Sequence, residues 1–103
     1  MNLESRKNAF LALADRLQNL PENEINELFD QSSIRNPWFT HENLHLALQG
    51  LIRMLDRYDL HGWLANYNLN DLPAKRVGIV MAGNIPMVGI HDLICVLMCG
   101  HKA

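Results

Sequence analysis

The sequence predicts a mostly α-helical chain followed by the first β-α unit of an α/β sheet. Apolar residues recur at helical spacing through most of residues 3–67, which predicts amphipathic helices. Residues 77–81 form a short, nearly continuous apolar run, which is typical of a strand buried on both faces. A second apolar run, residues 87–99, has the length of a helix. A strand followed directly by a helix is the first half of a β-α-β unit.

The composition indicates one small globular domain. The chain has 103 residues, of which 49% are hydrophobic and 19% charged, and its formal net charge is −2. Because the basic residues are spread along the chain, we expect no nucleic-acid partner. The first residues lack the order of a signal peptide and no apolar run is long enough for a membrane span, so we expect a cytoplasmic protein without membrane insertion. Cys95 and Cys99, four positions apart on a helix, do not favour a disulfide.

The first two helices are expected to be amphipathic. The first is predicted over residues 3–20, with Arg6 and Lys7 on its solvent face. Pro21 opens a second, shorter helix, because proline is compatible with the first helical turn. The polar residues 30–36 are expected to end this second helix. Its predicted buried face is formed by Ile25, Leu28 and Phe29.

The third helix has the clearest start. Thr40 is a good N-cap, since its hydroxyl oxygen accepts a hydrogen bond from a backbone N–H group of the first turn. A short turn should follow this helix, with Trp63, Leu64 and Tyr67 packing back on it. The polar residues 68–75 then connect to the strand. The predicted apolar face of the third helix consists of Leu44, Leu48, Leu51, Ile52 and Leu55.

The stretch HENLH, residues 41–45, matches the His-Glu-x-x-His pattern of zinc metalloproteases. We interpret it as a chance match. The Thr40 cap places His41 in the first helical turn, which is prone to fraying, and Leu48 stands where the extended motif has glycine. The candidates for a third ligand are Asp56, Asp59 and His61. Because none of them follows a recognisable zinc motif, no metal site is predicted here.

A second group of zinc-type side chains lies along the last helix. These residues are His91, Cys95, Cys99 and His101. Free cysteine is among the most buried residue types and this helix is apolar all round, so we expect both cysteines in the core. Neither is expected to be a nucleophile, because a reactive thiol needs exposure and an electropositive setting.

The turn between the strand and the last helix, residues 83–86, is the candidate site. Helix N-termini favour anions, and open α/β sheets bind ligands at the carboxyl ends of their strands. Asn84 supplies an amide donor that needs no ionisation, the type of group that holds an oxyanion. Gly83 permits close approach of a ligand, and Pro86 is expected in the first helical turn. The alternative is a tight turn in which asparagine serves only its turn propensity.

The segment KRVGIVMAGNIPMVGIHDLICVLMCGHKA, residues 75–103, resembles the start of the cofactor-binding domain of LuxC-type acyl-CoA reductases, which belong to the aldehyde dehydrogenase superfamily. Residues 77–79 match the Val-Gly-Val strand of that superfamily, and residues 83–86 match its Trp-Asn-Phe-Pro turn. The stretch NPWFTHENLHLAL is similar to amino-terminal helices of LuxC-like proteins. Gly83 departs from the pattern, because aldehyde dehydrogenases commonly have tryptophan there.

The resemblance implies a helical segment, residues 1–74, followed by the truncated start of a Rossmann-like NADP-binding domain of aldehyde dehydrogenase type, residues 75–103. It implies NADPH-dependent reduction of acyl-CoA or an acyl-enzyme to an aldehyde through a cysteine thioester. Asn84 would hold the oxyanion. The cofactor-binding residues implied in this way are Met81, Ala82, Gly83 and Asn84. The nucleophilic cysteine would lie downstream, so this chain alone would be inactive.

A single strand needs partners for its backbone N–H and C=O groups. Either a second chain completes the sheet or the 103 residues are part of a longer protein, and we expect the latter. In isolation the chain is expected to self-associate through the unpaired strand, residues 77–82. The alternative function is a non-catalytic helical module for dimerisation or protein interaction.

Overall fold

The computed structural model describes residues 1–103 and contains five α-helices and no β-strand. The predicted mostly helical character is therefore confirmed. The helices are α1 (Leu3–Gln18), α2 (Glu22–Arg35), α3 (His41–Met54), α4 (Arg57–Leu64) and α5 (Ile90–Met98). None of these helices is both long enough and apolar enough to cross a bilayer.

Side-chain caps start α1 and α3. Asn2 Oδ1 accepts a hydrogen bond from the Ser5 N–H group at 2.8 Å. Thr40 Oγ1 accepts one from the Asn43 N–H group at 3.1 Å, which confirms Thr40 as the N-cap of α3. The predicted apolar face of α3 is also confirmed. Its buried residues are Leu44, Leu48 and Leu51, and Leu55 follows at the C-cap.

α2 is longer than the sequence predicted. It starts after Pro21 as expected, but it continues to Arg35 through the polar residues that were expected to end it. Asn36 ends the helix, because its extended backbone (φ −143°, ψ 107°) is the conformation that a following proline favours. Phe29 is buried, whereas Leu28 is 55% exposed, so part of the predicted buried face is wrong.

α4 replaces the predicted turn. Asp56 caps this helix by accepting hydrogen bonds from two N–H groups of its first turn, both at 3.1 Å. Leu64 is buried as expected, whereas Trp63 and Tyr67 are 36% and 58% exposed. The prediction that Tyr67 packs back is therefore wrong, whereas Trp63 is partly covered, with its ring centroid 6.1 Å from that of His91 on α5.

Three apolar clusters hold the helices together. The first joins α1, α3 and α5 through Ala14, Leu51, Leu55 and Ile94. The second joins α2 and α3 through Phe29, Leu44 and Leu48. The third joins α4 and α5 through Leu60, Leu64 and Met98. Because α5 takes part in two clusters, it is packed against the other helices rather than standing apart from them.

Arg6 joins three segments through three backbone carbonyl groups. Its Nε donates to the Met98 oxygen at 2.8 Å, its Nη1 to the Met1 oxygen at 2.5 Å and its Nη2 to the Leu69 oxygen at 3.3 Å. The Met98 carbonyl lies in the last turn of α5, where acceptors lack helical partners and a cation is favoured. Arg6 is half-buried and the Lys7 side chain is 13% exposed, so their predicted solvent positions are wrong.

α5 ends as predicted but starts later. Gly100 has a positive φ of 83°, and its N–H group donates to the Leu97 oxygen at 3.0 Å. The His101 N–H group donates to the Val96 oxygen at 3.1 Å. Together these bonds form a Schellman motif, which confirms Gly100 as the residue that ends the helix. The first residue of α5 is Ile90, three positions after the predicted start.

The predicted strand, residues 77–82, is not formed. Val77 and Ile79 are half-buried and alternate with exposed residues, and Val80 is fully exposed at 102%. A strand requires a neighbouring segment that satisfies its backbone groups along its whole length. No such neighbour extends past residue 77. The prediction of a strand buried on both faces is therefore wrong for this chain.

One β-type contact exists at the start of that segment. Arg76 and Lys102 form an isolated parallel bridge. The Val77 N–H group donates to the Lys102 oxygen, and the Lys102 N–H group donates to the Lys75 oxygen, both at 2.8 Å. The chain before α5 and the chain after it therefore run side by side in the same direction.

Candidate functional site

The segment that leads to α5 is held by very few hydrogen bonds. Residues 78–86 make no backbone–backbone hydrogen bond, and one hydrogen bond from a side chain reaches them. Asn36 Nδ2 donates that bond to the Gly83 carbonyl oxygen over 2.6 Å. The segment therefore leaves its other backbone groups available to water or to a ligand.

Asn84, the predicted oxyanion donor, lies in this exposed turn. Its side-chain amide makes no hydrogen bond within the protein, so both of its N–H donors are free. Beside it, Gly83 is open, with no atom within 4 Å of the position that a Cβ atom would take. A free amide beside a position without a side chain permits close approach of an anionic oxygen.

The other predicted cofactor-binding residues occupy the same stretch. The Met81 side chain lies over Gly89 so closely that a Cβ atom there would collide with the Met81 thioether. Ala82 is exposed. The predicted site is therefore one consecutive loop, in which Met81 contacts the start of α5 while the Asn84 amide is free.

The turn does not lead directly into α5. Met87 has a positive φ of 58°, a conformation that cannot continue a right-handed helix. The Ile90 N–H group donates to the Met87 oxygen at 3.0 Å, and Gly89 is the N-cap without a side-chain bond. The predicted position of Pro86 in the first helical turn is therefore wrong. An additional turn separates Asn84 from the N-terminus of α5.

Asn36 is a site residue that the sequence analysis missed. Its Nδ2 contacts the Gly83 carbonyl, from which it is 47 positions distant, and its Oδ1 accepts the Trp38 N–H group at 3.1 Å. The available signal was an asparagine before Pro37, which indicates a turn. That signal carries no information about a distant partner.

The HENLH residues pack around an aromatic ring. His41 Nε2 lies 2.7 Å from Asp30 Oδ1. The Phe29 ring contacts His41 and His45 edge-on, with centroid distances of 5.7 and 4.7 Å. No group of three or more His, Cys, Asp or Glu side chains is arranged to hold a metal ion.

The two cysteines are half-buried and free, rather than in the core as predicted. Cys95 Sγ lies 3.9 Å from each ring nitrogen of His91. Burial raises the pKa of the Cys95 thiol, and the nearby Cys99 and Asp92 raise it further. A thiolate is therefore disfavoured at neutral pH, which argues against a nucleophilic role.

Comparison of the chain with protein-family models, with curated proteins and with solved structures gives no match. The functional interpretation therefore depends on the geometry of residues 78–86. This loop contains no ionisable side chain, and it offers the free Asn84 amide together with unpaired backbone groups. Such an arrangement has the chemistry to accept a polar or anionic ligand, whereas an acid, base or nucleophile would have to come from another segment.

Proposed function

We propose that this chain is the amino-terminal part of an oxidoreductase that reduces activated fatty acyl groups, as acyl-CoA or an acyl-enzyme, to aldehydes with NADPH. Asn84 donates its side-chain amide to the oxyanion of the tetrahedral intermediate. Met81, Ala82 and Gly83 line the cofactor cleft through their backbone. A cysteine further along the same polypeptide carries the acyl group as a thioester.

The parallel bridge between Arg76 and Lys102 is the observation that carries this proposal. At this bridge the chain before α5 and the chain after it run parallel, with the helix between them. Rossmann-like sheets are built from crossovers of this order. Their ligands bind beyond the carboxyl end of the first strand, a position that corresponds to residues 83–86.

The side chains around the turn are compatible with a dinucleotide. The open space at Gly83 permits a ligand to approach the backbone closely. Met81 covers Gly89 at the start of α5, so a phosphate group reaches that helix end only after the Met81 side chain moves. NADPH supplies the hydride when bound, while the residues of the loop bind and orient it.

The test is acyl-CoA-dependent oxidation of NADPH by the full-length product of the gene. We expect loss of NADPH absorbance together with formation of the aldehyde, identified by mass spectrometry. The matched control replaces acyl-CoA with the free fatty acid, whose carboxylate is not an activated acyl group. Absence of aldehyde across a series of short, medium and long acyl-CoA chains would overturn the proposal.

A non-catalytic dimerisation module is the second candidate function. It is favoured by residues 78–82, which make no backbone–backbone hydrogen bond and include the fully exposed apolar side chain of Val80. An extended segment with free N–H and C=O groups is a template for pairing with another chain. We therefore also propose that this chain, when isolated, self-associates through residues 77–82.

Val80→Glu should convert such a dimer to monomer, because two copies of the segment would bring like charges close together. The measurement is sedimentation velocity over a range of protein concentrations. Leu46→Glu is the matched control, since Leu46 is likewise an exposed aliphatic residue, 66% exposed on α3. A monomeric wild-type chain, or an equal effect of both substitutions, would contradict self-association through these residues.

A further inference from the structure

We infer that Asn36 is a positioning residue for the turn that carries Asn84, an inference that rests on the proposed function. The Asn36 side chain supplies the single hydrogen bond that reaches residues 78–86. The end of α2 thereby helps to determine where Asn84, the candidate oxyanion donor, lies. Asn36 itself does not contact the reacting atoms.

Asn36 is itself firmly held. Its backbone N–H group donates to the Ser32 oxygen at 2.9 Å, and its carbonyl oxygen accepts the Phe39 N–H group at 3.0 Å. Its side-chain Oδ1 accepts the Trp38 N–H group. Because Oδ1 accepts the Trp38 N–H group, the NH₂ group of the same amide faces the Gly83 carbonyl oxygen and can donate to it. One orientation of the amide therefore satisfies both contacts.

The bond acts on Asn84 through the geometry of the peptide group. The Gly83 carbonyl and the Asn84 N–H group belong to one planar unit. A donor that fixes this carbonyl therefore also fixes the plane from which the Asn84 side chain extends. Without it, the loop samples more arrangements, and the fraction with the amide in a productive position falls.

Asn36→Asp disrupts this contact and keeps the other one. Aspartate keeps the oxygen that accepts the Trp38 N–H group, but it replaces the Nδ2 donor with a carboxylate oxygen that cannot bond to the Gly83 carbonyl and repels it. Asn36→Ala removes both contacts and serves as the comparison. In the 103-residue chain, the {¹H}–¹⁵N heteronuclear NOE of Gly83 and Asn84 should fall in Asn36→Asp, while the values of α2 and α3 stay unchanged. An unchanged NOE at Gly83 and Asn84 would overturn the inference.

Kinetics of the full-length protein test the consequence for the reaction. We expect Asn36→Asp to lower kcat roughly three- to tenfold, the effect of one lost hydrogen bond, with little change in KM for acyl-CoA. In an Asn84→Ala background the same substitution should cause no further loss. A full additional loss in that background, or an unchanged kcat despite a lower NOE, would overturn the positioning role. If the wild-type protein forms no aldehyde, the proposed function fails, and the NOE still decides whether Asn36 holds the turn.

Discussion

Replacing Asn84 with alanine is expected to lower kcat of the proposed full-length reductase roughly 10²–10³-fold, the usual effect of removing one oxyanion donor. In the proposed reaction the amide interacts most strongly when negative charge develops on the acyl oxygen, so its loss would raise the barrier to the transition state. KM for acyl-CoA should change little, because the neutral carbonyl of the substrate is a weaker acceptor. Steady-state measurement of NADPH oxidation gives both parameters.

Two substitutions serve as controls for that experiment. Asn84→Asp keeps the shape of the side chain but replaces the donor with a negative charge, so its loss of turnover should be at least as large as that of Asn84→Ala. Asn23→Ala removes an exposed asparagine of α2 and should leave turnover unchanged. A loss of less than about threefold in Asn84→Ala would exclude the oxyanion role.

Replacing Arg6 with alanine is expected to lower the free energy of unfolding by about 2–4 kcal/mol, because three charge-assisted hydrogen bonds are lost, two of them partly buried. The Met98, Met1 and Leu69 oxygens all depend on this one guanidinium group. Arg6→Lys should recover little of the loss, since one ammonium group cannot reproduce the planar fork of donors. Urea unfolding followed by circular dichroism measures the change.

Arg16→Ala is the matched control for Arg6. Arg16 lies in the last turn of the same helix and is exposed, so its removal should change the free energy of unfolding by about 0.5 kcal/mol or less. Equal effects of the two substitutions would show that the three carbonyl contacts of Arg6 contribute nothing to stability.

Helices with local signals were predictable from the sequence. Thr40 and the apolar spacing from Leu44 to Leu55 identified α3, and Gly100 identified the end of α5. In each case the relevant contacts join positions a few residues apart, so the sequence pattern contains them. The core residues of α3 followed from the same periodicity.

Contacts with distant partners were not predictable. Residues 77–81 have the composition of a buried strand, but whether a strand forms depends on a neighbour that composition does not specify. A charged residue on an amphipathic helix is normally predicted to face solvent. Arg6 instead donates hydrogen bonds to carbonyl oxygens of three residues outside α1. Nothing in the sequence indicated the left-handed backbone of Met87. Because of that backbone conformation, α5 starts later than predicted.

The candidate site was also predictable only in its local part. The exposed turn around Asn84 could be predicted from its glycine, asparagine and proline, which are turn residues. Its attachment to Asn36 could not, because the two positions are brought together only by the packing of α2 and α3 against the rest of the chain.

The contact between Arg6 and Met98 also bears on how the chain is made. The two residues are 92 positions apart, and closing a longer loop costs more conformational entropy, so such a contact forms late in folding. During translation α1 leaves the ribosome long before its partner on α5 has been synthesised. Until then, α3 is the one element of the first apolar cluster that α1 can pack against. The nascent chain therefore keeps part of the apolar face of α1 uncovered until α5 has been made, a surface that a chaperone can bind.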